Sequence, residues 1–234
     1  GDARAWHRIG MNGVIRYENP ALVALTLLAL ATSGVNPFDR LTWFLETLPV
    51  MLGLPLLIAA HRRFPLTPLV YRLLFIHGVI LMLGGAYTYS RVPLGFWVQE
   101  MLDLSRNHYD RLGHLAQGFI PAMLTREILL RATPLRPGGW LFFLTTCVVL
   151  AFSASYEFVE WGVALAMGGE ADAFLATQGD VWDTQWDMFL ALLGALAAQA
   201  LLTRLHHRQL ARLRGAVDTL LSRLLVSAFD DCPV

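Results

Sequence analysis

Apolar stretches long enough to cross a lipid bilayer recur along this chain of 234 residues, and that recurrence decides its fold class. A bilayer core takes about 20 residues of helix at 1.5 Å each. Six such stretches are legible: Pro20 to Ser33, Leu41 to Ala60, Pro68 to Tyr89, Tyr109 to Leu130, Trp140 to Met167 and Trp182 to Leu202. The first is short unless its flanks are included. The fourth is weakened by Asp110, Arg111, His114, Gln117, Arg126 and Glu127. Turn formers separate the stretches, at Asn36-Pro37, Pro134, Pro137-Gly138-Gly139 and Gly168-Gly169. The reading is an all-α polytopic membrane bundle with a transmembrane domain over 20–202, flanked by segments 1–19 and 203–234.

Composition narrows the function classes. Charged residues make up 15% of the chain, against about 25% in a soluble domain. With 18 basic and 18 acidic residues the net charge is zero, which offers nucleic acid no general attraction. Every basic residue is Arg, so Schiff-base and P-loop lysines are excluded. Cys147 and Cys232 form no CxxC pair, which argues against cysteine zinc sites and iron–sulfur clusters.

Arginine placement supplies an orientation. With both ends cytoplasmic, fourteen arginines fall on inner segments, and only Arg40, Arg91, Arg106 and Arg111 fall on outer ones. The bias holds at every inner loop only if Tyr109 to Leu130 crosses. Six acids accompany the fourteen inner arginines, and twelve accompany the four outer ones, so the neutral chain is strongly polarised.

The ends say less. Met11 is a candidate start, which leaves residues 1–10 as an upstream extension or a cloning remnant. The tail from Thr203 to Val226 mixes Arg and His with leucines at helical spacing. It reads as an amphipathic helix prolonging the last span or lying on the inner leaflet, or as a solvated basic helix. Val92 to Leu104, with Phe96 and Trp97, reads as an outer interfacial helix.

Given that topology, polar groups from separate spans meet at one depth. Asp110 and His114 are i, i+4 on the first outer turns of the fourth span, so they share a face. Glu157 and Glu160 are i, i+3 near the outer end of the fifth. Asp180, Asp183 and Asp187 form one stripe at the start of the sixth. Glu46, Tyr87 and Tyr89 add to the same level. A charged group at the bilayer centre costs at least about 2.5 kcal/mol, so such a group calls for a reason.

Several carboxylates with one imidazole suit a divalent cation, whether zinc, manganese, iron, magnesium or calcium. The expected ligands are Asp110, His114, Glu157 and Asp183. Glu160 or Asp187 is the expected general base. Arg106 and Arg111, with Tyr87 and Tyr89, are expected to receive an anionic substrate such as an envelope lipid or lipid-linked phosphate. Two alternatives stand beside this metal-dependent hydrolase or transferase. One is ion or proton transport on the same carboxylates. The other is a polar network that only fixes helix packing, in an assembly or partner-binding protein. His77 is alone in mid-span and reads as a core histidine. Gly194 with Ala191, Ala195 and Ala198 reads as a close helix-packing face. Oligomeric state is open.

The strings YTYSRVPLG (87–95), RNHYDRLGHLAQGFIPAMLTRE (106–127), SASYEFVEW (153–161) and ATQGDVWDTQWDMFLALLGA (176–195) resemble the bacterial inner-membrane YjdF family. The resemblance runs from Met11 to Leu205 and implies a multi-pass inner-membrane protein without assigning a reaction. More loosely, the order Asp110/His114, Glu157/Glu160, Asp183/Asp187 is similar to that of VanZ-like membrane proteins. That likeness implies an envelope role linked to glycopeptide tolerance, with Glu160 standing where those chains often carry Gln.

Overall fold

A computed structural model of the chain describes residues 13–168 and 172–230. Among the described residues there is no strand. Six long helices carry the fold: α1 (Gly13–Ser33), α2 (Arg40–His61), α3 (Pro68–Tyr87), α5 (Tyr109–Ala132), α6 (Gly139–Met167) and α8 (Asp183–Asp230). Two short ones, α4 (Pro93–Met101) and α7 (Asp172–Leu175), sit in the connections.

Local chemistry sets the boundaries. Asp39 caps α2 by accepting the Thr42 N–H at 2.7 Å. Pro68 and Pro93 open α3 and α4 at first-turn positions, where a missing N–H costs nothing. Gly168, at φ 59°, ends α6 in the left-handed region that glycine enters freely.

The long helices alternate in direction. At one end Phe38 N–H bonds Ala86 O, joining the α1–α2 turn to the end of α3. At the other end Glu18 of α1 pairs with Arg72 of α3, and Leu69 N–H reaches Gln209 of α8 at 2.8 Å. The first may be called the acidic end, where α5 and α8 begin. The second is the arginine end.

Helices α2, α3, α6 and residues Asp183–Leu213 of α8 are long and apolar enough to cross a membrane. Their outward faces carry Leu52, Leu56, Phe142, Phe152, Phe158 and Trp161, all well exposed, as expected where lipid is the solvent. Helix α5 fails the apolar criterion for a physical reason: it is the enclosed helix. It packs on α3, α6 and α8, and Asp110, His114, Arg126 and Glu127 are all buried. Its 24 residues measure about 36 Å, enough to span. Helix α8 does not stop near Leu202 but continues unbroken, so the tail prolongs the last span. Residues 1–10 lie outside the described residues, as do the tail side chains beyond Gly215.

Helices α5 and α8 touch backbone to backbone. A Cβ on Gly118 would lie 2.0 Å from Ala191 O, and one on Gly194 would lie 2.2 Å from Leu115 O. Ala191, Ala195 and Ala198 are fully buried alongside. The small-residue face thus works as read, and it sets the spacing of the polar groups one turn above.

Candidate metal centre

The close α5–α8 crossing brings the first turns of both helices together at the acidic end. Asp110 and His114 come from α5 and Asp187 from α8, each at most 6% exposed. One ligand atom from each falls within 4.8 Å of the others. His114 Nε2 stands 3.6 Å from Asp110 Oδ1 and 3.8 Å from Asp187 Oδ2. These separations are too long for hydrogen bonds. They are close to the spacing of two ligands on one ion, which is about 3.0–3.4 Å for bonds near 2.1 Å and somewhat more for calcium.

The imidazole is oriented for this. Its Nδ1 meets Gln117 Oε1 at 2.9 Å, one turn along α5. Donating there leaves the Nε2 lone pair facing the two aspartates. Tyr156 of α6 lies edge-on to the ring at 6.3 Å between centroids. Its hydroxyl donates to Glu46 Oε2 of α2 at 2.9 Å, and Glu46 is buried.

The remaining expected residues are placed as follows. Glu157 reaches toward the opposite edge of the ring, with Oε1 3.8 Å from His114 Nδ1. Glu160 is half-buried on the same helix, three residues further on. Asp183 does not join the triad but accepts from Arg106 Nη2 at 2.8 Å. Arg111 Nη2 donates to Asp180 Oδ2 at 2.7 Å and lies over the Trp186 ring. Both arginines are therefore already paired. Together with Gln178, which donates to Asn107 O, they fasten the 176–182 segment over the start of α5. The backbone N–H of Trp182, helped by these two arginines, holds the Asp180 carboxyl below its ordinary range. Tyr87 is 44% exposed at the end of α3, while Tyr89 is buried in a notch between Gly84 and Gly113.

Many polar atoms of the centre have no partner. Asp110 Oδ2, Asp187 Oδ1, both Glu157 carboxylate oxygens and Ser153 Oγ are buried without a hydrogen bond. The arginine end contrasts sharply. There Glu127, fully buried, accepts from Thr67 N at 3.0 Å, Thr67 Oγ1 at 2.7 Å, Arg131 Nη1 at 2.7 Å and His206 Nε2 at 3.0 Å. Arg126 donates to His206 Nδ1 at 2.8 Å and to His207 Nε2 at 2.6 Å. Where this chain buries a carboxylate for structure, it surrounds it with donors. Between the two clusters Val70, Ala122, Met123, Val149, Ala195 and Ala198 form a buried apolar layer, with the buried Thr145 and Gln199 beside it.

Nothing in the sequence pattern singles out Tyr156 or the Glu127 cluster, and little singles out Gln117 as an orienting group. The i+3 offset of Gln117 from His114 was the one available signal.

Residues 19–208 match a family described as "Predicted membrane protein (DUF2238)". The chain is 55% identical over 194 residues to the protein named Inner membrane protein YjdF from Escherichia coli (strain K12), covering 83% of this chain and 92% of that protein. No solved structure matches.

Proposed function

This chain belongs to the DUF2238 family of membrane proteins, as a multi-pass inner-membrane protein akin to YjdF, and we propose that its Asp110–His114–Asp187 centre binds a divalent cation for hydrolysis or transfer on an envelope lipid or lipid-linked phosphate. The observation that carries this reading is the set of buried carboxylate oxygens with no partner, arranged around an imidazole whose Nε2 is left free by Gln117. Leaving ionised carboxylates buried and unpaired is costly, and a cation relieves it. The arginine bias of the opposite end orients the centre away from the cytoplasm.

Asp110, His114 and Asp187 would hold the cation, which would supply Lewis acidity and a readily ionised water when bound. Glu160, half-buried on the same helix as Glu157, would serve as the general base there. Asp187 serves as a ligand in this scheme. Arg106 and Arg111 act mainly by holding the covering segment in place, and they meet an anionic group only as their ties to Asp183 and Asp180 are exchanged. The mainly apolar layer at mid-bundle favours this reading over transport.

Thermal unfolding in detergent tests the binding. Mn²⁺, Zn²⁺ or Mg²⁺ should raise the melting temperature. Saturation a hundredfold above Kd corresponds to about 2.7 kcal/mol. Asp110→Asn should abolish the rise. No rise with any cation, or an equal rise in Asp110→Asn, would overturn the reading.

A further inference from the structure

We propose that the outward face of α8 at the arginine end binds an anionic phospholipid, with Arg204 and Arg208 on its phosphate. Phe189, Leu193 and Leu201 are exposed on one side of α8, and Arg204 and Arg208, both exposed, continue that side. The helix is unbroken through this stretch, so apolar side chains give way to guanidinium groups along one helix face. From Leu193 to Arg204 the helix rises about 16 Å, close to one leaflet of a hydrocarbon core roughly 30 Å thick. Gln209, which accepts from the first turn of α3, marks the same level as the end of a neighbouring span. The arginines thus stand where acyl chains packed on the apolar stretch would meet their headgroups.

Other arginines of that end are held by the protein itself. Arg72 pairs with Glu18 and Arg131 with Glu127, and Arg126 is bonded to His206 and His207. Glu18 and Glu127 are the acids of this end among the described side chains, and both are engaged. Among those side chains Arg204 and Arg208 have no carboxylate partner. Their i, i+4 spacing sets the Cβ atoms about 5–6 Å apart, so both guanidinium groups can meet one phosphate. Without an anion between them, like charges at that spacing repel.

An occupant has to match both halves of the face. A soluble anion matches the arginines and leaves the apolar stretch uncovered, and a hydrocarbon chain does the reverse. A phospholipid of net negative charge matches both, and an arginine this close to the leaflet surface favours such a lipid about fivefold. Arg62 and Arg63, which follow α2, are exposed as well. They are consecutive in the chain, however, and so do not face one phosphate together.

Native mass spectrometry of the full chain reads the preference directly, after incubation in detergent with equal amounts of phosphatidylglycerol and phosphatidylethanolamine of the same acyl chains. The wild type should carry phosphatidylglycerol over phosphatidylethanolamine by roughly 25-fold, about fivefold for each arginine. Arg204→Gln/Arg208→Gln should bring the two lipids close to parity. Arg62→Gln/Arg63→Gln, the same change in charge, should keep the preference. All four side chains are exposed, and an unchanged melting temperature shows that each variant is folded. No preference in the wild type, or one that survives Arg204→Gln/Arg208→Gln, would overturn the site. An equal loss in both double variants would overturn it too, by showing attraction to positive charge in general. A dimer that only Arg204→Gln/Arg208→Gln dissociates, with lipid preference unchanged, would give the face to a second copy of the chain instead.

Discussion

Glu127→Ala is expected to destabilise the protein by about 3–5 kcal/mol, the range for removing one partner of a buried ionic network. The loss is large because the carboxylate serves four groups at once. Thr67 N–H and hydroxyl lose their acceptor just ahead of α3, and α8 loses its anchor through His206. Arg131 keeps its bond to Pro65 O and its place over the Phe64 ring, and Arg126 is left beside a His206 that has lost its carboxylate. Set against a typical total of about 5–15 kcal/mol, that is enough to lower the melting temperature steeply. Glu127→Gln keeps acceptor capacity and should recover part of the loss. A drop of less than about 1 kcal/mol, the value of an exposed ion pair, would show that the cluster does not hold the helices.

Gly118→Val should be nearly as damaging, and it should act on the centre as well as on the fold. The new Cβ would lie 2.0 Å from Ala191 O and 2.6 Å from Ala191 C and Cα. These are backbone atoms, which cannot swing aside, so α5 and α8 must part. Overpacking of this kind costs about 1–3 kcal/mol. The parting also moves Asp187, one turn before Ala191, away from His114, one turn before Gly118. Melting should fall, and the stabilisation by added cation should vanish. Gly53→Ala, where a Cβ meets nothing within 4 Å, is the matched control and should leave both measurements unchanged. A Gly118→Val protein that melts and binds cation like the wild type would refute the close crossing.

The outline of this protein was open to reading because bilayers demand long apolar runs and because arginine is unevenly shared between loops. That asymmetry allowed α5 to be taken as a span when its hydropathy argued otherwise. The structure explains the conflict, since polar side chains on an enclosed helix never meet lipid. The acidic level was legible for the same reason, because helix starts and ends fix depth. Which carboxylates join was not. Asp183 and Asp187 share a face at i, i+4, and periodicity cannot say that Arg106 takes the first and leaves the second to His114. The Glu127 cluster joins residues 79 positions apart through the register of α8 beyond its apolar part. There, single charges read simply as cytoplasmic.

Under the proposed function Asp110, His114 and Asp187 share a cation. A crystal of the full chain grown with Mn²⁺, measured at an X-ray energy where manganese scatters anomalously, tests it most directly. An anomalous peak is expected about 2.0–2.3 Å from His114 Nε2 and from an oxygen of each aspartate. Well-ordered side chains with no peak among them, while manganese occupies other sites in the same crystal, would contradict it.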